Sequence, residues 1–552
     1  MYRSSDESPQ VNLFTSGGSL FAGKSLKLYQ DPTAWHNQFR SQVTMQIDEG
    51  LFKPLYSSGK GTPNASIRVL VGMMILKEAE GMSDEQLFEN CRFNMLVRSS
   101  LGLINADDLV PSESTYYLFR KNVYEYAKER NENLFDTVFA FLTKKQCVEF
   151  NVSGKRIRMD SKLLGSNIAW LSRYELVHET LRLFYKEVKK TGRIDSKTEE
   201  KLDELLKFKG NKVVYTSTSD EIKTKLQELG ELIYNVLPLF SSTKSTKFAT
   251  LERVFNEQFS IDEAKLVIPR NKEEISAKSI QSPHDTDCDF RNKDGDKVKG
   301  YSINVTESCD EKGLNLIGDV DTKEVTAPDV DFFQDGVEKV KKAFLGKVEN
   351  IHADGAYHSP DNQVFCTEKG INLYLHAIQG AKSRYQLDLS ENGELTVFDT
   401  KTRAFLEVTK IIGKNNKLKW RIKTDKGYRY FTQKEIDTSK VRKKIEETPV
   451  EVLQKRNNVE ATIFQLAYHY PNAKSRYRGL IKHQMWADMR CLWVNFVRIL
   501  KFMRKLAPNV AFSAKRIFEC IVDRLIFAFI TSVLKTIDVR LPFSQNFRFV
   551  DF

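Results

Sequence analysis

The spacing of apolar positions divides the chain into stretches of different period. From about residue 30 to 145 the period is helical. Ile67 to Leu76 is almost wholly apolar, and after Gly81 the string Ser83-Asp84-Glu85-Gln86 has the spacing of a capping box that opens the next helix. Pro111-Ser112-Glu113-Ser114 precedes a further helical run carrying Tyr117, Leu118, Arg120, Lys121 and Tyr124. Short helices joined in this way suit either a helix-turn-helix DNA reader or a plain bundle used for packing or dimer contacts, and residue type alone selects neither. The alternation then shortens to two. In the stretch from Lys155 to Ser161, Ile157 and Met159 share one face of a short strand, the arginines take the other, and Asp160 stands at its end. Between about 166 and 280 the helical period returns, with stripes of Leu202, Leu205 and Leu206 and of Leu226, Leu229, Ile233, Val236 and Leu237. These read as the packing faces of an inserted helical subdomain.

After Pro283-His284-Asp285 the pattern is that of strands again. Val298 to Thr306 and Leu314 to Val320 flank Asp310-Glu311-Lys312-Gly313, a hairpin connection, and Asp329 to Phe344 follows as a helix with Val337, Val340 and Phe344 on one face. In KVENIHADGAYHS, beginning at Lys347, Val348, Asn350, His352 and Asp354 project to one face of a strand that ends on a carboxylate, and Gly355 allows a sharp turn there. Asp-Gly is also a common turn pair, so the motif gains weight only from its surroundings. A further strand spans Ile371 to Ile378. Strand, hairpin, helix, strand and strand describe a mixed α/β sheet. Short alternating strands between about 385 and 437 read as a small β insertion. From Pro449 the chain is helical: Val452, Val459, Ile463 and Leu466 share a face with Glu460 beside it, and Met485, Met489, Leu492, Phe496 and Leu500 make a later helix amphipathic. The apolar run Leu525 to Leu534 is too short to span a bilayer and reads as a buried helix.

With 552 residues the chain exceeds one ordinary core, and about two to four structural units are expected. Lys and Arg total 85 against 73 Asp and Glu, a net charge of +12, which favours a polyanionic partner such as nucleic acid. The seven cysteines are scattered without a C-x-x-C pair, which argues against a zinc ribbon or disulfide scaffold and fits a reducing compartment. The first residues, MYRSSDESPQ, contain no apolar signal core. No Walker A loop, H-E-x-x-H or nucleophile elbow is present, so neither a nucleotide cofactor nor those chemistries are indicated. Three acids stand out instead: Asp160, Asp354 and Glu460. Carboxylates converging at a sheet edge suit two Mg²⁺ or Mn²⁺ ions, because hard cations prefer oxygen ligands and two such ions support in-line attack on a phosphodiester without a covalent nucleophile. Glu435, Glu446, Glu447 and Glu451 compete with Glu460 for the third place. Glu460 is preferred as an acid deep inside a helix, flanked by Val459 and Ile463 at the boundary of core and cleft.

The stretches RMDSKLLGSNIAW, SPHDTDCDF with KVKGYSINVTESCD, VENIHADGAYHSPDNQ, and VEATIFQL with KSRYRGLIKHQMWADMRCLWVNFVRIL resemble the DDE transposases of bacterial insertion sequences, and among them the eleven-eighty-two family. The similarity runs from about Leu51 to Leu500, and the HADGAYHS and KSRYRGLIKH blocks are its most specific parts. The resemblance implies an α/β, ribonuclease-H-like core assembled from 151–165, 283–384 and 438–505. It also implies a helical N-terminal DNA-binding region (1–150), a helical insertion (166–282), a β insertion (385–437) and a C-terminal helical segment (506–552). It further implies a cytoplasmic, nucleoid-associated enzyme that cuts and joins double-stranded DNA at terminal inverted repeats and target sites as a homodimer. Carried over by residue, the two aspartates fall on Asp160 and Asp354, and the glutamate on Glu460. Arg456 takes the arginine position four residues earlier, whereas Leu453 and Ala467 stand where related enzymes carry a tyrosine and a lysine. The DNA contacts of that lysine then pass to Lys474, Arg476, Arg478 and Lys482.

Overall fold

The computed structural model describes residues 1–4, 15–57, 59, 61–293, 295–378, 380–390, 392–412, 418–470 and 473–505. The apolar run Leu525–Leu534 and the expected segment 506–552 lie outside them. The N-terminal part is helical: α1 (Gly23–Gln30), α2 (Trp35–Gln42), α3 (Ile67–Glu80), α4 (Asp84–Phe93), α5 (Met95–Ser100), α6 (Glu113–Arg130) and α7 (Leu134–Glu149). Ser83 and Gln86 form the expected capping box at the start of α4. The chain then enters β1 (Arg156–Gly165) and leaves it for the helical insertion α8 (Arg173–Val188), α9 (Ser196–Leu205), α10 (Gly210–Thr216), α11 (Ser219–Val236) and α12 (Thr246–Gln258). A small hairpin, β2 (Phe259–Ile261) and β3 (Val267–Pro269), closes that insertion. Leu202, Leu226, Leu229, Ile233 and Val236 are buried in its own core, as their periodicity predicts.

The central sheet continues with β4 (Asp289–Lys293), β5 (Asp296–Ser308), β6 (Ile317–Glu324), helix α13 (Val330–Ala343), β7 (Asn350–Ala353), α14 (Pro360–Lys369) and β8 (Asn372–Leu375). Its order is β4-β5-β1-β7-β8, with β6 also paired to β5. β5 is antiparallel to β1, β4 and β6, whereas β1, β7 and β8 run parallel. One face buries Ile157, Met159 and Ile351 against Phe332, Phe333, Val337 and Val340 of α13. Six short strands follow: β9 (Tyr385–Leu389), β10 (Leu395–Asp399), β11 (Ala404–Leu406), β12 (Val408–Ile412), β13 (Leu418–Thr424) and β14 (Gly427–Phe431). They form two three-stranded sheets around a separate core that includes Val397, Trp420 and Ile422.

Helix α15 (Gln433–Glu447) returns the chain to the central sheet, followed by α16 (Val450–Leu453) and α17 (Asn458–Leu466). The last described helix, α18, runs from 480 to 505. Met485, Met489, Leu492, Phe496 and Leu500 are buried along it, but so are Trp486, Asp488, Arg490, Cys491 and Asn495. The expected amphipathic helix is therefore covered on most sides. It joins the N-terminal helices to Ile303, Val305, Ile317 and Val320 of the sheet in one core. Its polar side chains fit that position. The Asn495 amide pairs with both the N–H and the carbonyl of Ile317 (2.8 and 2.9 Å), and Gln484 donates to the Val320 carbonyl (2.9 Å), so backbone groups of edge strand β6 are satisfied. Arg490 donates to the carbonyls of Glu78, Ala79 and Leu466, at the ends of α3 and α17. None of the described helices is long and apolar enough to cross a membrane.

Where α18, α7, β6 and α13 meet, Asp136, Asp319, Asp321 and Asp488 face Lys339, whose ammonium is 3.7 Å from Asp319 and 3.6 Å from Asp321. Burial pushes the Asp319 carboxyl up to about 7, with Lys339 opposing and Asp321 and Asp136 reinforcing the shift. A carboxyl near 4 in the unfolded chain and near 7 in the folded one takes up a proton on folding between those pH values. Its contribution is thus fully present in acid and is lost as pH rises through about 7. Asp319→Asn, which cannot ionise, is expected to gain on the wild type by about 1–3 kcal/mol between pH 5 and pH 8 in urea denaturation. A constant difference across that range contradicts the assignment.

Candidate active site

The parallel pairing of β1 and β7 sets Arg158 opposite His352. Two residues on, Asp160 and Asp354 stand level and on the same face. Sequence placed Asp160 at a strand end, but β1 continues to Gly165 because its antiparallel partner β5 stays paired as far as Gly300. The opening at Asp160 comes from β7, which stops at Ala353. Asp354 then caps a short 3-10 turn, Gly355–Tyr357, its carboxylate accepting from the Gly355 N–H (2.6 Å). Glycine is required at 355 because the Ala377 carbonyl lies where a β-carbon would be. Behind the pair, Ser161 donates to Asp329 (2.6 Å) and Tyr357 to Asn304 (2.6 Å), which tie β1, β5, α13 and the turn together.

The segment from α16 to α17 lies across this face and is held there by a buried charge. Glu307 of β5, directly opposite Arg158 in the β1–β5 ladder, is fully buried. Its carboxylate accepts from Arg158 Nε (2.6 Å) and from Thr462 of α17 (2.9 Å), and pairs with Arg498 of α18 (2.7 Å). Arg158 also donates to the Lys455 carbonyl (3.0 Å). His352, buried beneath the same segment and stacked on Tyr374, is kept neutral at about 4 by burial and by the positive charges of Lys455, Arg156 and Arg158. Sequence reading passed over Glu307, Arg158 and Arg498. The available signal was an acid and an arginine set inside otherwise strand-forming runs.

Glu460 does not lie deep in a helix. The chain breaks into a 3-10 turn at Gln454–Arg456, and Glu460 falls in the first turn of α17 with its side chain 63% exposed. The expectation of a partly buried glutamate is corrected accordingly. Of the competing acids, Glu435 closes a capping box and pairs with Arg429, and Glu446 pairs with Lys382. Glu447 ends α15, and Glu451 opens α16.

What joins the three acids is Arg456. Its Nη2 donates to Asp160 Oδ2 at 3.1 Å and lies 3.8 Å from Asp354 Oδ2, and its Nη1 lies 3.5 Å from Glu460 Oε1. Arg456 and Asp160 are largely covered, at 13% and 15% exposure, whereas Asp354 opens to solvent. Burial pushes the Asp160 carboxyl up to about 6 against the pull of Arg456 and the Ser161 N–H, with Asp354 and Asp329 adding to the rise. Among the described residues, no group of three or more His, Cys, Asp or Glu side chains is already gathered as a metal cage. The donor set itself is all oxygen and faces a single guanidinium, so it carries excess negative charge suited to a hard cation.

The basic residues expected on DNA are elsewhere: Lys474, Arg476 and Arg478 between α17 and α18, and Lys482 in the first turn of α18. Lys474 donates to the Ile168 carbonyl (2.9 Å) and Arg478 to the Asn167 carbonyl (2.6 Å). Arg476 donates to Met82 and Gly81 at the end of α3 (2.7 and 2.5 Å), and Lys482 lies 4.5 Å from the centre of the Tyr124 ring. The first three thus fasten this loop to the end of α3 and to the residues that precede the helical insertion, and Lys482 sets the start of α18 against α6. Beneath them His483 is buried, its Nε2 2.6 Å from Ser475 Oγ, and burial holds it down at about 4.

Residues 30–122 match the family model described as Transposase domain (DUF772). The match covers α2 to α5 and the first half of α6, and it supports a transposase, and so a DNA-cleaving or DNA-transferring enzyme, in general terms. No curated protein and no solved structure matches the chain.

The crowding at Gly355 predicts that Gly355→Ala lowers stability by about 2 kcal/mol or more, because the Ala377 backbone must move. An unchanged urea midpoint contradicts that packing.

Proposed function

We propose that the chain is a DDE transposase of the eleven-eighty-two family of insertion sequences, which binds the terminal inverted repeats of its element and cuts and joins DNA. The observation that carries this reading is the convergence of Asp160, Asp354 and Glu460 on Arg456 at the mouth of the sheet. The strand order supports it: three antiparallel strands, β6, β5 and β1, continued by parallel β7 and β8, are the arrangement expected of a ribonuclease-H-like core. The transposase-domain match over the N-terminal helices supports it independently of the acids.

In this reading Asp160, Asp354 and Glu460 would hold two Mg²⁺ or Mn²⁺ ions, which supply the positive charge for in-line attack of water or a 3′-hydroxyl on a phosphodiester. Asp160 and Asp354 act as ionised ligands rather than as proton donors, and the turn at Gly355–Tyr357 fixes the second of them. Arg456 would take a DNA phosphate in the loaded complex. Lys474, Arg476, Arg478 and Lys482 border the path of the duplex with the N–H donors not turned to the protein. The enzyme works in the cytoplasm at the nucleoid, as a dimer, because two ends must be brought together.

Asp354→Asn is expected to remove strand cleavage at the element's ends in Mg²⁺ while leaving DNA affinity nearly intact, since the amide keeps the shape but loses the charge. Cleavage by that variant near the wild-type rate overturns the site. Wild-type protein that binds without cutting is instead a DNA-binding descendant of a transposase, and one that cuts without joining is a nuclease. With about six phosphates contacted, the slope of log affinity against log salt is expected near −5. A titration without salt dependence contradicts the proposed interface.

A further inference from the structure

Among the described residues, the carboxylates of Asp160, Asp354 and Glu460 share the guanidinium of Arg456. Arg456 is 13% exposed and meets all three acids, yet only its contact with Asp160 is a hydrogen bond. Its Nε is buried without a hydrogen-bond partner. Two of its three contacts, at 3.5 and 3.8 Å, are therefore loose ion pairs, and the residue ends a 3-10 turn rather than lying in the middle of a rigid helix. An arginine fixed purely for structure would be expected to fill its donors with good geometry, as Arg490 does on the carbonyls of Glu78, Ala79 and Leu466.

We propose that Arg456 is a built-in counter-ion that occupies the place of the divalent cations in the DNA-free protein. The guanidinium neutralises part of the charge of Asp160, Asp354 and Glu460 and keeps those acids together. It leaves them when cations enter, and is then free to take a DNA phosphate. The inference rests on the reading of the three acids as a cation site. It adds that the free protein is held in a low-affinity state, and that cation loading and DNA binding favour each other because both draw on the same arginine. Glu460, exposed and, among the described residues, joined to the site through Arg456, is the acid whose position depends most on this exchange.

The test is Mn²⁺ binding to the full chain without DNA, followed by electron paramagnetic resonance of the free ion. Wild type is expected to bind weakly, and Arg456→Ala about tenfold or more tightly, because the competing cation is gone. Arg456→Lys is expected between them, since an ammonium cannot reach several carboxylates as a planar fork does. Adding Asp160→Asn to Arg456→Ala should abolish the gain. Equal or weaker binding by Arg456→Ala, with binding still lost on Asp160→Asn, overturns the counter-ion role and leaves the cation site standing. Mn²⁺ binding that ignores Asp160 in every variant overturns the site itself. If Arg456→Ala fails to fold, the wild type alone decides. A short duplex of arbitrary sequence should raise its Mn²⁺ affinity several-fold after subtraction of the Mn²⁺ that the duplex alone binds, and a corrected affinity that does not change with duplex overturns the exchange.

Discussion

The candidate site depends on the buried carboxylate of Glu307. An acid fully enclosed in a sheet is tolerated only when its charge is matched and its lone pairs are used, and here Arg158, Arg498 and Thr462 do both. Those partners come from β1, α18 and α17, so a single desolvated group requires three distant parts of the chain to meet. Losing one partner of such a buried network typically costs about 3–5 kcal/mol, because the remaining charge is stranded. The same group sets the position of the segment above it. With Thr462 bonded to Glu307 and the Lys455 carbonyl bonded to Arg158, Arg456 and Glu460 are brought over the two aspartates.

A second constraint is the shared use of α18. Its apolar side chains fill the N-terminal bundle, while its amides serve edge strand β6 and its Arg490 closes the ends of α3 and α17. The region matched to a transposase domain and the region carrying the acids are consequently one packed body at this helix. The short links made by Arg476 to Gly81 and Met82 add to that attachment. A basic residue near a proposed nucleic-acid path can thus contribute to the fold first, with its remaining donors left for phosphate.

Much of this was legible along the chain. The change from a period of two to a helical period and back located β1, the β5–β6 hairpin, α13, β7 and β8, because burial of one face forces that alternation wherever the strand or helix packs. It also located Asp160 and Asp354 as acids on strands and Glu460 as an acid on a helix, whereas the role of Arg456 came from a family resemblance. Helix α14 and strand β4 were not anticipated: both are short, and their apolar residues are too few to establish a period.

By itself, then, the sequence determined most of the strands and helices, though not α14 and β4, and which acids lie on the strands, since those properties follow from neighbours within a few residues. Tertiary structure alone decided that β7 stops level with Asp160 while β1 runs on, that Glu460 opens a helix rather than lying inside one, and that Arg456 faces all three acids. It also decided that Glu307 collects two arginines, one of them from a helix nearly two hundred residues away. The physical reason is the same in each case. Local periodicity reports which side of an element is buried, but the partner of a charge is chosen by register, crossing and desolvation between segments far apart in the chain, and no local pattern records that choice.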